Sequence, residues 1–182
     1  MKLAAITLVI ALLLQAPYLI QRFSSSLQSY QFKKTLQGAW SFDSYEFRLY
    51  TPSGEIDQVF HSQDRNITGL LLYTTDGYMV AQLAGLGDVI IDESFDQLQC
   101  QSRSGSSASI FSYYGKYHLN HTYTHTSGIV NHIIDASTSP SFAGVQGRVA
   151  NFSNDYLTLS PMEELVHRGM PVKVDLTWKK IT

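Results

Sequence analysis

Five residues of this chain could do chemistry in a buried site: Glu46, Arg48, Tyr73, His132 and Arg148. Glu46 and Arg48 sit in "QGAWSFDSYEFRLY", residues 37–50, which reads as one strand. A strand's period of two puts Trp40, Phe42, Ser44, Glu46, Arg48 and Tyr50 on one face. Ser41, Asp43, Tyr45, Phe47 and Leu49 take the other. The first face begins apolar and ends charged. In a closed barrel that order has a direct meaning: Trp40 packs the closed end, and Glu46 and Arg48 line a polar pocket toward the mouth. A bulge after Ser44 would instead turn both charges to solvent.

The other candidates are oriented by glycosylation triplets at Asn66, Asn120 and Asn151. With Asn151 pointing out, Gln146, Arg148, Ala150 and Phe152 point in. With Asn66 pointing out, Ile67, Gly69, Leu71 and Tyr73 point in. Arg48, Arg148 and Tyr73 then become interior donors, with Glu46 as the counter-charge a buried guanidinium requires. The same residues would serve a purely structural ion pair bracing the barrel. His132 and Asp135 fall on opposite faces of their strand, so at most one reaches the pocket.

Such a pocket suits cyclisation or isomerisation, which needs no nucleophile and no redox group. Holding two reacting ends together contributes up to about 7–11 kcal/mol in ideal cases. A positioned Arg or Tyr can stabilise the oxygen on which negative charge grows. Trp40, Tyr50 and Phe142 would be the substrate-binding walls. An acid–base isomerase using Glu46 or His132 is a close variant.

Other chemistries lack their motifs. No Gly-x-Ser-x-Gly elbow is present. His118, His121, His125 and His132 come without Cys or a His-Glu-x-x-His helix, so no metal is expected. No glycine-rich loop joins a strand to a helix, and no cofactor is expected. Net charge is −2, with no basic stripe to argue for nucleic acid.

The elements that must position these residues are strands. The 182 residues include eleven Tyr, nine Phe and two Trp, and only 15% are charged. Residues 67–85 read as a hairpin turning at Asp76-Gly77. Further strands are expected at 110–119, 122–126, 128–137, 145–152, 155–161 and 171–180. Residues 88–109 are polar, Gly/Ser-rich and without period, a long loop. Eight or nine short strands with no long helix after residue 37 indicate an all-β, closed antiparallel barrel, residues 37–182. Residues 23–36 read as a linker with a short helix over 27–36 that could plug one end. Residues 1–22 begin with Lys2 and an apolar run from Leu3 to Leu14, a signal peptide or a retained signal anchor. Both place the domain in the secretory pathway: the lumen, a vesicle or outside. A membrane is a partner only with a retained anchor. The single Cys100 makes no intrachain disulfide.

Gly38-x-Trp40 is similar to the opening of lipocalins. "GAWSFDSYEF", "TGLLLYTTDGYMVAQL", "VNHIIDASTSPSFAGVQGR" and "LTLSP…VDLTWKK" resemble, in order, segments of the lipocalin-like domain family. The chain departs from the family's usual pattern at Asn131-His132, Asp135 and Phe142. The resemblance implies a calycin-type barrel with a central cavity. It extends in type to fungal secondary-metabolite cyclases, including hetero-Diels–Alderases. Three functions follow as expectations: a cofactor-free cyclase or isomerase of a hydrophobic polyketide or terpenoid, a barrel that carries such a ligand without turnover, and a barrel filled by its own side chains.

Overall fold

The computed structural model describes residues 22–61, 67–85, 110–139, 142–167 and 169–182. Helix α1 spans 22–36. Ten strands follow: β1 Gly38–Tyr50, β2 Ile56–His61, β3 Thr68–Tyr73, β4 Tyr78–Ala84, β5 Ile110–Thr122, β6 Ser127–Ser137, β7 Gly144–Ser153, β8 Tyr156–Pro161, β9 Leu165–His167 and β10 Met170–Lys180. They form one antiparallel sheet in the order β2-β1-β3-β4-β5-β6-β7-β8-β10-β9, closed by pairing of β1 with β10. β1, β3–β8 and β10 make the barrel. β2 and β9 lie outside it, on the far halves of β1 and β10.

The barrel forms because each strand alternates. In β4, Met79, Ala81 and Leu83 are buried and the residues between them are exposed. β5 sends Phe111, Tyr113 and Tyr117 inward in the same way. The β3–β4 reversal uses Gly77 at φ 94°, a conformation open to glycine and costly for other residues. Residues 123–126, expected as a strand, are instead the β5–β6 turn, closed by the amides of Tyr123 and Thr124 on the Ser127 carbonyl. β2 and β9 were not expected. Every residue of β2 is exposed, so it shows no buried face for a sequence pattern to report.

α1 is longer than the short helix expected and fills one end of the barrel. Phe32 and Leu36, four apart and therefore on one helix face, are fully buried. Phe32 meets the Phe152 ring edge-on at 5.1 Å. Gly38, at φ 119°, turns the chain out of the helix and into β1. Trp40 then lies under the helix, its indole N–H donating to the Leu36 carbonyl at 2.9 Å. The Lys180 ammonium sits 4.1 Å from the Trp40 ring centre and donates to the carbonyls of Thr35 and Gln37. Each large apolar side chain removed from water here contributes about 1.5–3 kcal/mol.

At the other end the far halves of β1 and β10, with β2 and β9, extend past the barrel rim as a four-stranded flap. It carries a small core of its own: Leu49, Val172 and Val174, with Phe47, Leu165, Met170 and Leu176 against it.

Candidate functional site

The strand that raised the pocket expectation breaks its own alternation. β1 pairs Phe42 with Trp178 and Ser44 with Thr177, so Asp43 is an extra residue, a bulge. Past it the buried positions are Tyr45 and Leu49, no longer continuing from Trp40 and Phe42. Glu46 and Arg48 therefore lie on the face opposite Trp40, outside the barrel, and the interior placement expected for them is corrected. Tyr50 shares that outer face, with the Lys173 ammonium 5.5 Å from its ring centre.

On the outer face the charges satisfy one another. The Arg48 guanidinium pairs with Glu46 and donates to Asp175 at 3.0 Å. Asp175 also accepts from the Ser160 hydroxyl. The His61 ring lies 3.8 Å from Glu46. These residues border a groove of about 300 Å³ floored by Thr158 and Thr177. At roughly a third exposed, such pairs contribute little to stability.

The barrel interior holds a different cluster. β3 delivers Tyr73, β5 Tyr113, β6 His132 and β7 Arg148, each from the inward set of its strand. The His132 ring is wholly buried between two phenols. Tyr73 Oη is 2.7 Å from Nε2 and Tyr113 Oη is 3.1 Å from Nδ1. Burial, then the nearby Arg148 charge, holds the His132 pKa well below the usual imidazole range. The ring is therefore neutral, with one N–H to give and one lone pair to receive. The shorter contact suits an O–H donor and the longer one an N–H donor. Tyr73 then donates to Nε2, and Nδ1–H donates to Tyr113. This leaves no buried polar atom of Tyr73 unpaired, and it frees the Tyr113 proton for another acceptor.

Arg148 completes the set. Its guanidinium donates to the Gly147 carbonyl at 2.9 Å, lies 5.8 Å from the Phe142 ring centre, and is near enough to Tyr113 for its charge to act on the phenol. No carboxylate lies within ion-pair distance of it among the described residues. Phe142 packs on Tyr113 at 4.9 Å and on Phe111 at 5.2 Å, an aromatic wall beside the guanidinium. Burial raises the Tyr73 pKa well above, and the Tyr113 pKa above, the usual phenol value, so both stay protonated donors.

Four residues singled out in the sequence thus converge: Tyr73, His132, Phe142 and Arg148. Glu46, Arg48 and Tyr50 lie outside, and Trp40 belongs to the helix-plugged end. Tyr113 was missed, although the alternation of Phe111, Tyr113 and Tyr117 in β5 marks it as inward. Both nitrogens of His132 are engaged and its basicity is suppressed, so it orients the tyrosines and is a poor proton acceptor. Of the glycosylation candidates, Asn120 and Asn151 are exposed on β5 and β7, and Asn66 lies outside the described residues. So do Cys100 and the 88–109 loop. Among the described residues no three His, Cys, Asp or Glu group as metal ligands; His118, His121 and His125 are exposed.

A closed eight-stranded antiparallel barrel, plugged at one end and carrying a polar cluster inside, defines the class: a lipocalin-type barrel, an architecture suited to enclosing one small molecule. A family model described as a lipocalin-like domain matches residues 37–181, most of the chain, and the chain belongs to that family. No curated protein matches it.

Proposed function

We propose that the barrel binds a hydrophobic small molecule through a carbonyl, enolate or carboxylate oxygen held by Arg148 and the Tyr113 hydroxyl, and that it promotes cyclisation or isomerisation of that molecule. The observation that carries this reading is Arg148: an inward guanidinium with no carboxylate partner among the described residues. A charge so placed favours an acceptor supplied by the ligand. The aromatic wall of Phe111 and Phe142 gives an apolar skeleton its contact surface. Two such donors on one oxygen would stabilise charge that grows there during ring closure. Orientation and these donors suffice for a pericyclic step, and no residue needs to change its covalent state. The suppressed basicity of His132 favours this over proton abstraction. It also keeps a second reading in play, a carrier that binds the same oxygen without turnover. The secretory-pathway setting and glycans at Asn66, Asn120 and Asn151 belong to the same proposal.

The test is product formation from a reactive polyketide or terpenoid precursor, with wild type, Arg148→Ala and Arg48→Ala compared after each is shown folded. The proposal expects faster or stereochemically altered product with wild type and Arg48→Ala, and the uncatalysed outcome with Arg148→Ala. Saturable binding that leaves rate and product unchanged would establish the carrier. Equal catalysis by Arg148→Ala would sink the assignment of the oxygen site.

A further inference from the structure

The closed end of the barrel differs in surface chemistry from the rest of the molecule. α1 uses one face, Phe32 and Leu36, to plug the barrel. Phe23, Leu27 and Tyr30 fall at i, i+4 and i+7, one stripe on the opposite face. They are 83%, 56% and 65% exposed. Nothing among the described residues covers them. The segment immediately before this helix contains an uncharged run from Leu3 to Gln21.

Charge is divided in the same way. Five of the six described lysines, Lys33, Lys34, Lys116, Lys179 and Lys180, lie at the closed end. The carboxylates there are Asp76 and Asp155, in the β3–β4 and β7–β8 turns. Seven of the ten described carboxylates lie at the open end and on the flap. Two of the closed-end lysines sit over outward tyrosines: Lys116 over Tyr78 and Lys179 over Tyr156, each 5.8 Å from the ring centre. Apolar residues, tyrosines and lysines on one face are the composition of a bilayer interface. A lone exposed Leu needs no explanation, but a contiguous stripe inside a cationic surface does.

We propose that the closed end is a docking face for an anionic phospholipid bilayer, with Phe23, Leu27 and Tyr30 entering the headgroup boundary and Lys33 and Lys34 facing the lipid phosphates. No described helix is long and apolar enough to cross a membrane; the proposed contact is made by side chains of α1 at headgroup level. It directs the mouth of the barrel away from the bilayer. Cations near an anionic surface are attracted within a Debye length, which makes the contact salt-sensitive.

Flotation of the full chain with vesicles tests this, using phosphatidylcholine alone and phosphatidylcholine with 30% phosphatidylserine. Wild type is expected to prefer the anionic vesicles and to lose that preference at 0.5 M salt. Phe23→Ser/Leu27→Ser/Tyr30→Ser should bind at least about tenfold more weakly, and Lys33→Glu/Lys34→Glu should lose the anionic preference. These positions are exposed, and an unchanged near-ultraviolet circular dichroism spectrum checks the fold. As a second readout, Tyr30→Trp should be quenched by brominated lipid. If the triple variant floats like wild type and Tyr30→Trp escapes quenching, the docking face is refuted and any binding belongs to the leading apolar segment. Absence of wild-type binding refutes it as well.

Discussion

Two of the arginines sit on β1 and β7, with β10 and β8 between them in the closed sheet, and their surroundings are opposite. Arg48, on the outer face of β1, has Glu46 and Asp175 as partners, and the Ser160 hydroxyl donates to Asp175. Arg148, on the inner face of β7, has a backbone carbonyl and an aromatic ring, and no carboxylate among the described residues. A paired charge at the surface is already satisfied and has little left to offer a ligand. An inward charge without a counter-ion is costly for the fold, and such groups are where binding and catalysis concentrate. The comparison assigns Arg48 to the scaffold and Arg148 to the site.

The sharpest way to break this contrast is to remove a partner inside the barrel. Tyr73→Phe leaves Nε2 of a fully buried His132 unpaired and should destabilise the fold by about 1–3 kcal/mol in urea unfolding. A loss under about 0.5 kcal/mol would mean that the interior network is not held as described.

Acid should separate the two regions next. His132 has a lowered pKa when folded, so below the ordinary imidazole value near pH 6.5 the unfolded chain takes up a proton that the folded chain refuses. Stability therefore falls as pH drops below about 6.5, with a slope of up to about 1.4 kcal/mol per pH unit from this one group. Urea midpoints measured from pH 7 to pH 5 should show a shallower decline in His132→Phe than in wild type. Parallel declines would assign the acid sensitivity elsewhere.

The smallest effect is expected outside. Glu46→Gln should cost about 0–1 kcal/mol, less at high salt, because the pair it breaks is partly solvated. A cost as large as that of Tyr73→Phe would erase the distinction between the regions.

How much of this was legible in the sequence depended on alternation. Where a strand keeps its period, as in β3, β4 and β7, the inward residues could be named in advance, and Tyr73 and Arg148 were. Barrel closure then brings them together across strands far apart in sequence, which only the fold can do. β1 defeated the same reasoning through one extra residue, Asp43. The signal was present, since the apolar positions change from Trp40 and Phe42 to Tyr45, Phe47 and Leu49, a switch from even to odd numbers. An alternating pattern read in a single phase passes over such a switch. β2 and β9 were illegible for another reason: short outer strands make their hydrogen bonds with little burial, so polarity does not mark them. Tyr113 was overlooked because "SYYG" offers two adjacent tyrosines, and the inner one is selected by the phase it shares with Phe111 and Tyr117.

The central claim, that Arg148 holds a ligand oxygen inside the barrel, is tested most directly by fluorescence titration with cis-parinaric acid and its methyl ester. Wild type and Arg48→Met should bind the acid more tightly than the ester. Arg148→Met should weaken acid binding by about 10–100-fold and leave the ester nearly unchanged, the loss expected for one charge-assisted hydrogen bond. An acid preference that survives in Arg148→Met, or disappears in Arg48→Met, would contradict the account.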